Sequence, residues 1–191
     1  MKDLCVDILV NKDNMLSLDY VPQNMYVVDD NENNFHNYVD ASKKPMLRVE
    51  VKPYIEKLIC DANKSGINII VDSAFRSGNY QQKILDNLIK EKGKEAYRLI
   101  ALPGASEHQT GLAVDFAIYE NGVYNDDIKE EDKEAVWLKN NAWKYGFILR
   151  YPKNKENITG FNFEPWHYRF VGLDLAKKLY DENITLEEYY K

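Results

Sequence analysis

The sequence predicts an α+β fold: a small, mainly antiparallel sheet with helices packed against it. Three observations lead there. Helical and strand-like patterns are mixed without a repeating β-α-β unit. The later strand candidates are joined by hairpin-length connections. A chain of 191 residues with 45% hydrophobic content can bury one good core but not comfortably two. We therefore expect a single domain over 1–191. Residues 1–45, rich in Asn and Asp, are the least regular part and are expected to pack on or cover the rest. Within them "DDNENN" (29–34) reads as an exposed loop and His36 as a surface residue.

The elements follow in order. Across 49–65, Val51, Ile55, Leu58, Ile59 and Ala62 recur at helical spacing, and Gly66 stands where a left-handed cap is wanted. "INIIVDS" (67–73) is short and β-branched, as a covered strand should be. Ser77 can cap a second helix whose core side is Ile84, Leu85, Leu88 and Ile89, ending before Gly93, which leaves Arg76 at a strand-to-helix corner. A short helical piece at 94–100 is broken by Pro103 and Gly104, and "TGLAVDFAIY" reads as a second strand. "NGVYND" (121–126) is a turn signal, and "KEAVWLKNNAWKYG" is a helix closed by Gly146, with Trp137 and Trp143 as core. "FILRY" and "WHYRFVG" are strands separated by the polar loop "PKNKENITG". The C-terminal "LDLAKKLYDENITLEEYY" gives one or two helices, Thr185 capping the second.

Charge and composition exclude some partners. The net charge of -6, spread along the chain without a Lys/Arg block, leaves no electrostatic footprint for nucleic acid or an anionic membrane. A small or peptidic partner is expected. "MKDLCVDILVNKDN" is too short and interrupted in its apolar character for a signal peptide, and no window approaches a membrane span. A cytoplasmic protein is expected, or an exported one if a signal or anchor was removed. Cys5 and Cys60 show no CxxC spacing and are expected to be buried small hydrophobes.

Chemistry concentrates in "GASEHQTGLAVDF" (104–116) and "FEPWHYRF" (163–170). The chain has only three histidines, and two of them, His108 and His167, sit in these stretches beside Asp115 and Glu164. Two histidines and one carboxylate are a standard set for a catalytic zinc, which leaves a position open for water. His108 and Asp115 are an odd number of residues apart, so on a regular strand they would face opposite ways. A turn at Gly111 would let His108 project from a loop toward the Asp115 face, and Pro165 would likewise bend the chain between Glu164 and His167. Glu164 would then stand beside a single zinc ion without binding it and serve as general base. Arg76 would stabilise a negative intermediate, Ser106 and Gln81 are candidates for holding a substrate carboxylate, and Trp166 for lining the pocket.

"SEHQTGLAVD" fits S-x-H-x-x-G-x-A-x-D and "EPWH" fits E-x-x-H. With "SAFRSGNYQQ" upstream, the chain resembles the zinc D-alanyl-D-alanine carboxypeptidase and dipeptidase family of the VanY and VanXY type, over about 9–172. The resemblance implies the fold shared with lysostaphin-type peptidases and the hedgehog signalling domain. It also implies one zinc held by His108, Asp115 and His167, Glu164 as base, Arg76 near the scissile carbonyl, and Ser106 and Gln81 in substrate recognition. The substrate implied is the D-Ala-D-Ala end of peptidoglycan precursors or the free dipeptide. Any tie to glycopeptide resistance would run through removal of that target.

Other functions use similar parts. A non-haem iron oxygenase also takes two histidines and a carboxylate, but its close H-x-D spacing is absent and Glu164 would lack a task. A non-catalytic zinc-bearing interaction domain would not need Glu164 or Arg76. An L,D-carboxypeptidase acting on a tetrapeptide stem is compatible with every motif residue. The loops "NGVYNDDIKEED" and "KNKENITGFN" are expected to decide how long a peptide is admitted.

Overall fold

The computed structural model describes residues 4–28 and 44–191. "DDNENN" and His36 lie outside the described residues. Strands β1 (Met25–Val27) and β2 (Met46–Arg48) form a two-stranded antiparallel sheet. Helix α1 (Lys52–Lys64) follows and ends at Gly66, whose φ of 74° is the left-handed turn its position called for. Next come β3 (Ile69–Ser73), α2 (Gly78–Lys92), capped by Ser77 Oγ accepting from the Tyr80 N–H, and the short α3 (Ala96–Leu99). Then come β4 (Ala113–Glu120), β5 (Val123–Asn125), α4 (Lys133–Asn141) and β6 (Phe147–Leu149). The chain closes with α5 (Glu156–Thr159), β7 (His167–Phe170), α6 (Leu173–Glu182) and α7 (Leu186–Tyr189). Thr185 and Glu188 form a reciprocal capping box at the start of α7.

The main sheet runs β3-β4-β7-β6, with β5 paired to β4, and all its pairings are antiparallel. Its two faces have different tasks. Ile69 and Val71 of β3, Val114 and Phe116 of β4, and Tyr168 and Phe170 of β7 join Val51, Ile55, Leu58, Ala135 and Leu138 from the α1 and α4 regions in one buried core. The alternate residues of β4 and β7 face the other way, and the register places Asp115 directly opposite His167 and Ala113 opposite Arg169. A two-residue period therefore puts a core on one side and a set of polar groups on the other.

Several details differ from the sequence expectations. Strand β5 lies inside the stretch read as a turn and loop, and α5 inside "PKNKENITG". Elements of three or four residues are too short to show a period. Cys5 and Cys60 are both exposed, not buried. Ile55, Leu58 and Ala62 define the buried stripe of α1, and Cys60 stands about 200° around the helix from Leu58, on the far side. Ile84, Leu88 and Ile89 of α2 are only half-buried, and Leu85 with Gln81 makes its buried contact. Among the described residues no helix is long and apolar enough to cross a membrane.

Candidate active site

The polar face of the sheet is completed by a loop. Residues Glu107–Thr110 form a 3₁₀ turn, Gly111 follows at φ 69° in the left-handed region, and β4 begins two residues later. A side chain at Gly111 would also be crowded, its Cβ standing 3.1 Å from Arg48 Cγ. This kink brings His108 to the same side as Asp115 despite their odd spacing. The loop is tied to the end of β3: Arg76 N–H donates to the His108 carbonyl at 3.2 Å, and the His108 ring Nδ1 bonds the Ala74 carbonyl at 2.5 Å. That bond places the proton on Nδ1 and leaves Nε2 free to accept or to ligate.

His108, Asp115 and His167 meet there. Each offers a ligand atom within 4.8 Å of the others. His108 Nε2 lies 3.3 Å from His167 Nδ1 and 3.1 Å from Asp115 Oδ2, and His167 Nδ1 lies 2.8 Å from Asp115 Oδ1. Donors bound at 2.0–2.1 Å around a tetrahedral zinc stand roughly 3.3 Å apart; the edge between the two histidine nitrogens matches that spacing, and the histidines approach different oxygens of Asp115. Donor chemistry and spacing both fit a zinc-sized ion. His108 and His167 are 1% and 4% exposed, and Asp115 is half-buried.

Burial, reinforced by Arg76, lowers His108 to about 4, so its imidazole is neutral near pH 7. Burial also disfavours the charged form of His167, but Asp115 and then Glu107 outweigh it and raise it to about 9. Asp115 is held well below the ordinary carboxylate range, because both histidines overcome the cost of burying it.

The other predicted residues line the same cavity, which measures about 220 Å³ and is walled by Arg76, Gln81, Ser106, Glu164 and Trp166 together with the three clustered groups. Arg76 Nη2 lies 3.9 Å from Asp115 Oδ2. Glu164 stands outside the three-residue cluster, and burial raises its carboxyl above the usual range against the pull of His167. Ser106 occupies the cap position of the 3₁₀ turn without using its hydroxyl as a cap, which leaves that hydroxyl for the cavity. Gln81 donates from Nε2 to the Ala101 carbonyl at 2.8 Å, and its buried Oε1 has no partner. Trp166 is half-buried, with one side on the core.

Sequence reasoning missed two parts of the wall. Tyr151 stacks on the His167 ring, centroids 4.9 Å apart, and Phe161 packs on Tyr151 at 4.7 Å. Behind His167, Glu107 is buried between Arg150 and Arg169, its Oε1 accepting from Arg150 Nε at 2.9 Å and Arg169 Nη1 at 2.8 Å. Glu107 has polar neighbours in sequence, Ser106, His108 and Gln109, so no local pattern marked it.

This network predicts acid lability. Burial opposes ionisation of Glu107, but Arg150 and Arg169 outweigh it and hold the carboxyl far below its ordinary value of 4.5. The unfolded chain takes up a proton near pH 4.5 where the folded chain does not. The stability Glu107 contributes is thus present above that pH and drains as the pH falls below it, and Asp115 acts in the same direction. Urea midpoints should fall steeply between about pH 5 and 3, and a flat profile would contradict the assignment.

A metal-compatible triad, a spare carboxylate and an arginine thus share one small cavity on an antiparallel sheet, an arrangement that can set a metal ion beside a general base and a positive charge. The model of the family "VanY: D-alanyl-D-alanine carboxypeptidase" matches residues 44–173, and the chain belongs to that family. It is 40% identical over 184 residues to YodJ of Bacillus subtilis (strain 168), covering 96% of this chain and 66% of that protein. It is 40% identical over 151 residues to a D-alanyl-D-alanine carboxypeptidase of Enterococcus faecalis (strain ATCC 700802 / V583), covering 74% of this chain and 54% of the relative. The chain thus spans between about half and two thirds of the length of these relatives. Among solved structures, the LD-carboxypeptidase LdcB superposes with a TM-score of 0.84 at 38% identity, covering 95% of this chain and 84% of that one. A point mutant of the vancomycin resistance D,D-pentapeptidase VanY, in complex with Zn(II), superposes with a TM-score of 0.79 at 32% identity, covering 97% of this chain and 99% of that one.

Proposed function

We propose that the protein is a zinc-dependent carboxypeptidase that removes the terminal D-alanine from peptidoglycan stem peptides or their soluble precursors, with D-Ala-D-Ala ends as the first substrate. The observation that carries this reading is the closure of His108, Asp115 and His167 to ligand spacing in the cavity that Glu164 and Arg76 line. His108 Nε2, His167 Nδ1 and one Asp115 oxygen would hold the ion. Zinc, when bound, supplies a Lewis acid that polarises a carbonyl and lowers the pKa of water to about 7.

The chain's own groups do the rest. Glu164, whose carboxyl burial makes more basic than an ordinary one, is suited to take a proton from the attacking water and return it to the leaving amine. Arg76, fixed at its corner by the backbone bond to His108, places positive charge where the carbonyl oxygen becomes negative. The Ser106 hydroxyl and the second Nε2 hydrogen of Gln81 can donate to a substrate carboxylate, while the unpartnered Gln81 Oε1 can accept a substrate N–H. A cavity of about 220 Å³ is smaller than the roughly 300–1,000 Å³ pockets of drug-sized ligands, and suits the last residues of a peptide.

A second reading, L,D-carboxypeptidase action on a tetrapeptide stem, is favoured by the superposition on LdcB. The test compares D-alanine release from D-Ala-D-Ala, a pentapeptide stem and a tetrapeptide stem. Release from the first two supports the D,D reading, and release from the tetrapeptide alone overturns it in favour of the L,D one.

Proton release accompanies metal uptake on this account. His167, raised to about 9 by its carboxylate neighbours, carries a proton near pH 7 that a ligand must lose, whereas His108 is already neutral. Zinc affinity should therefore rise about tenfold per pH unit from 7 toward 9, with close to one proton released per zinc at pH 7. Calorimetry in buffers of different ionisation enthalpy measures this, and a pH-independent affinity would contradict the assigned charge state.

A further inference from the structure

His167 has two ring nitrogens with different surroundings. Nδ1 faces Asp115 and His108. Nε2 is turned to the interior, 3.7 Å from Glu107 Oε2, and both of these buried atoms lack a hydrogen-bond partner. A closure of less than about 1 Å brings the pair to the 2.7–2.9 Å of a charge-assisted bond.

The charge around Glu107 is already balanced without His167. Its Oε1 takes Arg150 and Arg169, and Arg150 continues through Nη1 and Nη2 to Glu187 at 2.9 and 2.5 Å. Arg169 donates through Nη2 to the carbonyls of Val6 and Ile8. Two guanidinium groups thus face two carboxylates, and Glu107 can serve His167 as an acceptor without requiring it to be charged.

We propose that Glu107 is a positioning residue for His167: it accepts the Nε2 hydrogen, so that the proton given up on metal binding is the one Nδ1 directs at Asp115, and the Nδ1 lone pair is left to ligate beside His108 Nε2. The inference rests on the metal-centre reading above. It gives the two histidines different supports, a neutral backbone carbonyl at Ala74 for His108 and an ionised carboxylate for His167. Through Arg150 and Arg169 it also links His167 to the N-terminal segment and to α7. Hydrogen bonding to a carboxylate raises the basicity of a ligating imidazole, and loss of such a partner typically weakens metal binding about 10–100-fold.

The test uses the full chain. In zinc-loaded wild type, nitrogen-15 NMR of the histidines should find His167 protonated at Nε2, with a downfield, slowly exchanging proton. Zinc affinity, measured by competition with a chromophoric chelator, should fall about 10–100-fold in Glu107→Gln. In Glu187→Gln, which removes the outer partner of Arg150 and leaves Glu107 facing His167, it should be unchanged. Circular dichroism of the metal-free variants checks that they fold, and if Glu107→Gln does not, the wild-type spectrum decides. Zinc-loaded wild type with no proton on His167 Nε2, or a folded Glu107→Gln binding zinc as tightly as wild type, overturns this inference alone. Wild type that binds no zinc overturns the metal-centre reading and this inference with it.

Discussion

Replacing Glu164 by Gln is expected to lower turnover about 100-fold to 10,000-fold while leaving one zinc per chain. Both halves of that expectation come from geometry. Glu164 lines the cavity but stands outside the group of three residues whose ligand atoms converge, so losing its charge should not release the ion. The isosteric amide keeps the volume of the side chain but cannot take a proton from water. Since burial already raises the carboxyl, the amide also resembles its neutral form, and folding should be little disturbed. Steady-state kinetics with metal analysis on the same preparation check the point. Unchanged turnover would remove Glu164 from its role, and lost zinc would make it a ligand instead.

His108→Ala should have the larger effect, abolishing stoichiometric zinc binding and reducing peptide cleavage to background. His108 is 1% exposed and its ring is fixed from behind by the Ala74 carbonyl, which holds Nε2 toward Asp115 and His167. Its removal leaves Asp115 and His167, two ligands where a catalytic zinc site uses three. The deleted ring also leaves a cavity beside Asp115 and an unpaired Ala74 carbonyl, so a drop of roughly 1–3 kcal/mol in stability should accompany the loss of metal. Metal content by mass spectrometry and chemical denaturation separate the two effects. A variant with full zinc occupancy would show that the ligand set is wrong.

Much of this site was legible in the sequence because it is built from local rules. Strand parity stated that His108 and Asp115 could not share a face without a break, and Gly111 supplies it at a positive φ. The same parity, applied to β4 and β7, explains why Val114 and Tyr168 enter the core while Asp115 and His167 pair across the other face. Ser77, Gly66, Gly146 and Thr185 mark helix ends because each satisfies a specific backbone requirement.

What was not legible depends on distance along the chain or on elements too short to carry a period. Glu107 meets Arg150 and Arg169, 43 and 62 residues away, and nothing local distinguishes it from a surface carboxylate. Tyr151 reads as part of a strand, yet its ring ends up against His167. Strands β1, β2 and β5, of three residues each, show no alternation. Cys60 illustrates the opposite error, in which residue type was allowed to outweigh its angle on the helix.

The central claim is that one ion held by His108, Asp115 and His167 makes this chain a peptidase. Its most direct test is to titrate zinc into chelator-treated protein while following D-alanine release from a pentapeptide stem and a tetrapeptide stem. The account predicts no release without metal, a linear rise for at least one of the stems, and saturation at one zinc per chain. Release at full rate in the presence of chelator, or no release from either stem at full zinc occupancy, would contradict it.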